Sequence, residues 1–224
     1  MKTLIVLLTL VSSIALADEI DIRQQDMLKP TVTLIGSHSG GTGVVISSDK
    51  YTTIVLTVLH VARRVTSAIF VGSTKKYNAT IFRFSSKYDL ALMALNTTNR
   101  PAVTISKRES VRRMEKVYSV GAGRLMPIQM TDGYASLTEN GSLLFTAPIV
   151  GGNSGGGVYV KTKGHYELIG ITKSLAVIPA SIRSNIRPMP FVAIIPVYHL
   201  AIAIDIATIH KFLANKLEKE RRHY

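Results

Sequence analysis

Gly151-Gly152-Asn153-Ser154-Gly155-Gly156-Gly157-Val158-Tyr159 sets one serine among five glycines, with β-branched and aromatic residues directly after them. A run so poor in side chains lets backbone amides approach a ligand closely. A serine nucleophile needs a base to take its proton and donors to hold the developing oxyanion. Consecutive glycine amides just before Ser154 can turn two N–H groups inward without obstruction. The residues after the serine matter as much. Three glycines and then Val158-Tyr159-Val160 make a poor helix, so the chain is expected to leave the serine as a strand. A glycine-rich turn with an incidental serine stays open until partners for Ser154 are found.

Working outward, short β-branched runs alternate with turn residues along most of the chain. Strands are expected at Thr31 to Ile35, Gly43 to Ile46, Thr52 to Val58, Ala68 to Val71, Asn78 to Phe84 and Leu90 to Leu95. The glycine-rich Ser39 to Gly43 is read as the hairpin link between the first two. After Arg100-Pro101 comes a second set, at Ala102 to Ile105, Val117 to Gly121, Ile128 to Leu137, Ser142 to Phe145, Val158 to Val160, Tyr166 to Thr172 and Phe191 to Ile195. Closely spaced strands without long helices between them argue for an all-β sandwich or barrel, and against a doubly wound parallel sheet. The C-terminus differs. From about Tyr198, Leu200, Ile204, Ala207, Phe212 and Leu217 recur at helical spacing, predicting an amphipathic terminal helix over about 198–219 with a basic tip at Lys216 to Arg222.

The 224 residues carry 46% hydrophobic and 18% charged residues, enough apolar material to exclude a disordered chain. The absence of cysteine excludes a disulfide scaffold, a thiol nucleophile and a cysteine-based zinc module. Lys2, the apolar Leu4 to Leu10 and Ala15-Leu16-Ala17 form the three parts of a secretory signal. Cleavage is expected after Ala17, giving an exported protein, periplasmic or secreted. Its formal charge is +13, but the basic residues lie scattered in pairs and aromatic residues make up only 7%. No stacking platform for nucleic acid is visible, and no nucleic-acid partner is expected. Weak association with anionic surfaces remains open. No histidine spacing suggests a metal site, and neither metal nor cofactor is expected.

Two further segments supply partners for Ser154. Thr53 to Ala62 is an apolar strand that ends in His60, and Asp89 stands at the mouth of the apolar strand Leu90 to Leu95. Either group at the edge of a buried run costs desolvation unless it is paired. Asp89 holding His60, with His60 facing Ser154, satisfies all three.

With Leu56-Thr57-Val58-Leu59-His60-Val61-Ala62, Tyr88-Asp89-Leu90-Ala91-Leu92 and Gly152-Asn153-Ser154-Gly155-Gly156 in this order, the chain resembles trypsin-like serine proteases of the chymotrypsin fold. The likeness runs from Thr31 to about Val197, and is strongest to bacterial peptidases of the high-temperature-requirement type. It implies two six-stranded antiparallel β-barrels, at about 30–100 and 101–197, with the active site in the cleft between them and a C-terminal α-helix. It implies a serine endopeptidase acting on protein or peptide substrates. In that scheme His60 is the general base, Asp89 orients it, Ser154 attacks, and the amides of Gly152 and Ser154 form the oxyanion hole. The specificity pocket is expected to draw on Pro148, Ile171, Thr172, Lys173 and Ala193. Its mostly apolar lining hints at an aliphatic residue, whereas Lys173 would favour an acidic one.

The chain departs from the family in two respects. Animal members carry an Asp just before the nucleophile to receive a new N-terminus, and here that position is Asn153. The stress proteases append a peptide-binding domain, whereas a bare protease domain over 18–224 is expected here.

Two other readings compete with this one. A lipase-type elbow would use Ser154, Asp205 and His210, but it needs a helix directly after the serine. A catalytically silent scaffold would bind an anionic partner such as nucleic acid, lipid or lipopolysaccharide through its basic surface.

Overall fold

A computed structural model of the chain describes residues 20–123, 127–182 and 191–214. The expected signal segment and the basic tip at Lys216 to Arg222 lie outside the described residues. Strands run in the order β1 (Thr31–Ile35), β2 (Gly40–Ser48), β3 (Thr53–Val58), β4 (Ser67–Phe70), β5 (Lys76–Ser85), β6 (Leu90–Leu95) and β7 (Thr104–Ile105). They continue with β8 (Lys116–Gly121), β9 (Gln129–Glu139), β10 (Ser142–Phe145), β11 (Gly157–Thr162), β12 (His165–Ile182) and β13 (Phe191–Asp205). One helical turn, α1 (Leu59–Ala62), succeeds β3, and α2 (Ile206–Ala214) succeeds β13.

The first six strands close into an antiparallel barrel in the order β1-β2-β3-β6-β5-β4, sealed where β1 pairs with β4. The second barrel runs β11-β8-β9-β10-β13-β12 and is sealed by β11 against β12. The short β7 adds to it in parallel alongside β12. Closure leaves neither sheet with a long open edge.

One hydrophobic cluster spans both barrels. Leu34, Leu56 and Met93 of the first pack in it with Tyr159, Tyr166 and Leu168 of the second, all essentially unexposed. A second cluster, including Val117, Leu143, Phe145 and Ile169, fills the interior of the second barrel. Because β6 faces both its own barrel and this junction, Leu90-Ala91-Leu92-Met93-Ala94-Leu95 is buried at nearly every position instead of alternating. The N-terminal segment also crosses the junction: Asp26 accepts from the amide of Tyr166 at 2.9 Å, and Met27 is fully buried.

Two sequence expectations change. The glycines at 40–43 do not form a turn; Gly36 N donates to Ser39 O at 2.8 Å to close it, and Gly40 already belongs to β2. The small residues are needed for close packing instead. A Cβ on Gly41 would stand 2.6 Å from a methyl of Val61 and 3.0 Å from the Ser154 carbonyl oxygen. The second change is at the C-terminus, where residues 198–205 are strand. Pairing of Ala201, Ile202, Ala203 and Ile204 with β10 draws them into the second barrel, with Ala201 and Ala203 buried. Asp205 then starts the helix by accepting from Thr208 N at 2.9 Å through its side chain. Helix α2 leans back on the first barrel: Arg83 of β5 donates to the carbonyls of Phe212 and Leu213.

A junction core shared by both barrels predicts that they unfold together. Leu168→Ala should cost about 2–5 kcal/mol. Urea unfolding monitored by fluorescence and by circular dichroism should give one coincident transition, shifted to lower urea.

Candidate active site

His60 is the second residue of α1, and its ring is fixed from below by Asp89. Leu59 N donates to the Asp89 carbonyl at 3.0 Å, and His60 N donates to Asp89 Oδ1 at 3.1 Å. His60 Nδ1–H donates to Asp89 Oδ2 at 2.8 Å. One aspartate thus takes two backbone amides and one ring nitrogen, leaving Nε2 with its lone pair free to act as a base. Asp89 reaches this position in the left-handed region, with φ at 54°. A non-glycine residue there is strained, and the three bonds from α1 hold it in place. Burial pushes the Asp89 carboxyl up. The hydrogen bonds and charge of His60, with a further contribution from the ammonium of Lys173, outweigh that and hold it below the ordinary carboxylate value.

Ser154 arrives from the other barrel on the loop before β11. Its position is set by Thr42 of β2, which is fully buried. Thr42 N donates to the Ser154 carbonyl at 2.9 Å, and Thr42 Oγ1 donates to the Gly152 carbonyl at 2.8 Å. The same hydroxyl accepts from Ala122 N at 2.8 Å, while Thr57 Oγ1 donates to the Thr42 carbonyl at 2.7 Å. Thr42 therefore joins the Ser154 loop, the residue after β8 and β3 at one point. The sequence reading missed it, and its only signal was a lone polar residue inside a glycine-rich run.

The loop also ties itself. Asn153 N donates to the Val150 carbonyl at 3.1 Å, and Asn153 Oδ1 accepts from Val150 N at 3.3 Å. The buried Asn153 side chain closes the turn by neutral hydrogen bonding. Gly155 has φ at +88°, and a Cβ on it would stand 2.0 Å from the Thr42 carbonyl oxygen and 2.1 Å from Thr57 Oγ1, so no side chain fits. Its own amide donates to the Thr172 carbonyl at 2.8 Å. Among the described residues, the amides of Gly152 and Ser154 donate to no protein acceptor. Two unengaged N–H groups flank the serine.

Lys173 connects the two halves. Its carbonyl accepts from Ser154 Oγ at 3.1 Å, while its ammonium bears on Asp89. In this rotamer Ser154 does not yet point its proton at His60. Catalytic hydrogen bonds commonly tighten only in a substrate complex.

Of the expected specificity-pocket residues, Thr172 and Lys173 lie beside the serine, their carbonyls accepting from Gly155 N at 2.8 Å and Ser154 Oγ at 3.1 Å. Ile171 lies fully inside the junction core and Thr172 is fully buried, whereas Pro148 is exposed. Ala193 stands on β13, but its side chain falls outside the description. The family resemblance had suggested these residues; Ile171 pairs with Gly157 of β11. The lipase-type alternative fails on geometry, because Asp205 caps α2 and His210 Nε2 bonds the Ser106 carbonyl at 2.8 Å.

A carboxylate-held imidazole, a serine on a constrained turn and two free amides are the equipment of acyl transfer. Comparison with known proteins agrees. Residues 41–171 match the model of the trypsin-like peptidase domain. The chain is similar to a serine endoprotease from Yersinia pestis, at 21% identity and a TM-score of 0.67, over 86% of this chain and 64% of that one. It therefore spans under two thirds of that protein's length. It is also similar to an inactive form of the Rv3671c protease, at 16% identity and a TM-score of 0.63, over 84% of this chain and 89% of that one. No curated protein sequence matches it. With a junction-spanning pair of six-stranded barrels and a family match over more than half its length, the chain belongs to the trypsin-like peptidase domain family and has the chymotrypsin fold.

Proposed function

We propose that the chain is an exported serine endopeptidase that cuts peptide bonds through His60, Asp89 and Ser154 and an acyl-enzyme intermediate. The observation that carries this reading is the 2.8 Å bond from His60 Nδ1 to Asp89 Oδ2, with Ser154 Oγ bonded to the carbonyl of Lys173, whose ammonium acts on the same Asp89. His60 Nε2 takes the Ser154 proton as Oγ attacks the scissile carbonyl carbon. The carbonyl oxygen, now negative, is received by the amides of Gly152 and Ser154. Collapse expels the amine, which leaves with the proton from His60, and the acyl group stays on Oγ. Water then repeats the sequence to release the acid. Asp89 holds one tautomer of His60 and stabilises its cation. Export is supported by the tripartite N-terminal sequence at residues 1–17.

Incubation with a fluorophosphonate probe should place an adduct on Ser154, found by mass spectrometry of the purified protein. The His60→Ala variant should show none. Ser154→Ala should lower peptide turnover on the order of 10⁶-fold while the circular dichroism spectrum is unchanged. A folded Ser154→Ala variant that still hydrolyses at the original rate would end this reading.

Asn tolerates left-handed backbone, so Asp89→Asn should fold, yet turnover should fall by about 10⁴ because the wrong imidazole tautomer is favoured. The depressed Asp89 carboxyl also fixes a pH effect. A carboxyl whose folded pKa lies below its unfolded value stabilises above the unfolded pKa, about 3.9, and that contribution is lost as pH falls through the folded one. The stability of the chain relative to Asp89→Asn should shrink below about pH 4, as read from urea midpoints across the acid range.

Thr42→Val keeps the shape but leaves the Gly152 carbonyl and the Ala122 amide without their partner. It should cost about 1–3 kcal/mol in a thermal melt and slow fluorophosphonate labelling of Ser154, because the amide turn loosens.

A further inference from the structure

Beside Asp89, and sharing Lys173 with the expected specificity pocket, lies a cavity of about 440 Å³. Its lining includes Lys87, Lys173 and Lys211 together with Tyr88, Asn140 and Ser142. Among the described residues, no acidic side chain lines it. The three lysines come from three different parts of the chain: the turn before β6, the strand β12 and the helix α2. Among the described residues, none of them has a carboxylate within salt-bridge distance. Lys87 only leans over the ring of its neighbour Tyr88, at 5.4 Å from the centroid, and Lys173 acts on Asp89 at longer range. Collecting three cations around one concavity costs repulsion and carries no compensating ion pair. That arrangement is complementary to an anion.

The cavity is coupled to the chemistry through Lys173. In the β12–β13 ladder Thr172 pairs with Ala203 and Ser174 pairs with Ile202, so Lys173 is the extra residue of a bulge. A bulge interrupts the alternation of a strand and re-aims the side chain it carries. Here it leaves the carbonyl on Ser154 Oγ and sends the side chain to the cavity wall. Lys87 and Tyr88, which also line the cavity, immediately precede Asp89 in the chain. A side chain held in this cavity therefore belongs to a residue near the bond being cut.

We propose that this cavity is a substrate subsite that selects an acidic residue, aspartate or glutamate, close to the scissile bond. The carboxylate is received by the ammonium groups of Lys87 and Lys211, with Lys173 closing the third side. Asn140 and Ser142 supply neutral polar groups at the rim. This inference rests on the proposed peptidase activity and adds its substrate class: acidic peptides.

The test uses the full chain and internally quenched peptides in which glutamate replaces glutamine at one position at a time across the cleavage site. At one position, kcat/KM should favour glutamate by about tenfold, and the ratio should narrow as ionic strength rises from about 0.05 to about 0.5 M. Lys87→Gln and Lys211→Gln should each bring the ratio closer to one, and together should abolish it. Anisotropy of labelled glutamate and glutamine peptides on the Ser154→Ala chain should give the same order of affinity. If Ser154 takes the fluorophosphonate but glutamate and glutamine peptides are cut equally at every position, the subsite is overturned and the peptidase stands. If Ser154 takes no fluorophosphonate, the peptidase reading fails and the subsite falls with it.

Discussion

The buried side chain of Thr42 is the joint on which the cleft depends. Ser154 and the proposed base His60 lie on separate barrels here, so their relation is only as exact as the contact between the barrels. Hydrophobic packing at the junction supplies most of the adhesion but is non-directional and tolerates small slides. Thr42 adds direction. Its amide, hydroxyl and carbonyl all make bonds of 2.7–2.9 Å, reaching Ser154, Gly152, Ala122 and Thr57. In a buried site such bonds cannot be exchanged cheaply, and their loss leaves polar groups without partners. The glycines around them reflect the same constraint. Gly155 is bare because the Thr42 backbone meets it at contact distance, and Gly41 because the Val61 side chain and the Ser154 carbonyl press on it.

Charge is arranged with comparable economy. Asp89 sits in a strained backbone conformation, and the bonds that hold it there are those that orient His60. The carboxylate remains ionised because α1 and Lys173 compensate for its burial. The loop before the nucleophile avoids charge altogether. With Asn at 153, the turn closes by neutral bonds to Val150 and needs no incoming N-terminus to neutralise a buried acid.

Much of this was legible in the sequence. β1, β6 and β10 fall where β-branched and apolar runs predicted them, because each is short and bounded by clear turn residues. His60 and Asp89 could be paired on paper because a charged group at the mouth of a buried strand needs a partner. Contacts that depend on closure were not legible. Thr42 gave no periodic signal, and its role exists only once a second barrel is present. The segment 198–205 carries apolar residues compatible with both periods, and its pairing with β10 decided in favour of strand.

Helix α2 gives the molecule a second fastening. The chain crosses from the first barrel to the second after β6, and α2 returns from the end of β13 to bond Arg83 of β5, with the guanidinium 4.8 Å from the Phe212 ring centroid. Two bodies joined by a single strap can swing like jaws; joined at both ends across a shared core, they cannot. The return of α2 to β5 therefore opposes hinging of one barrel against the other.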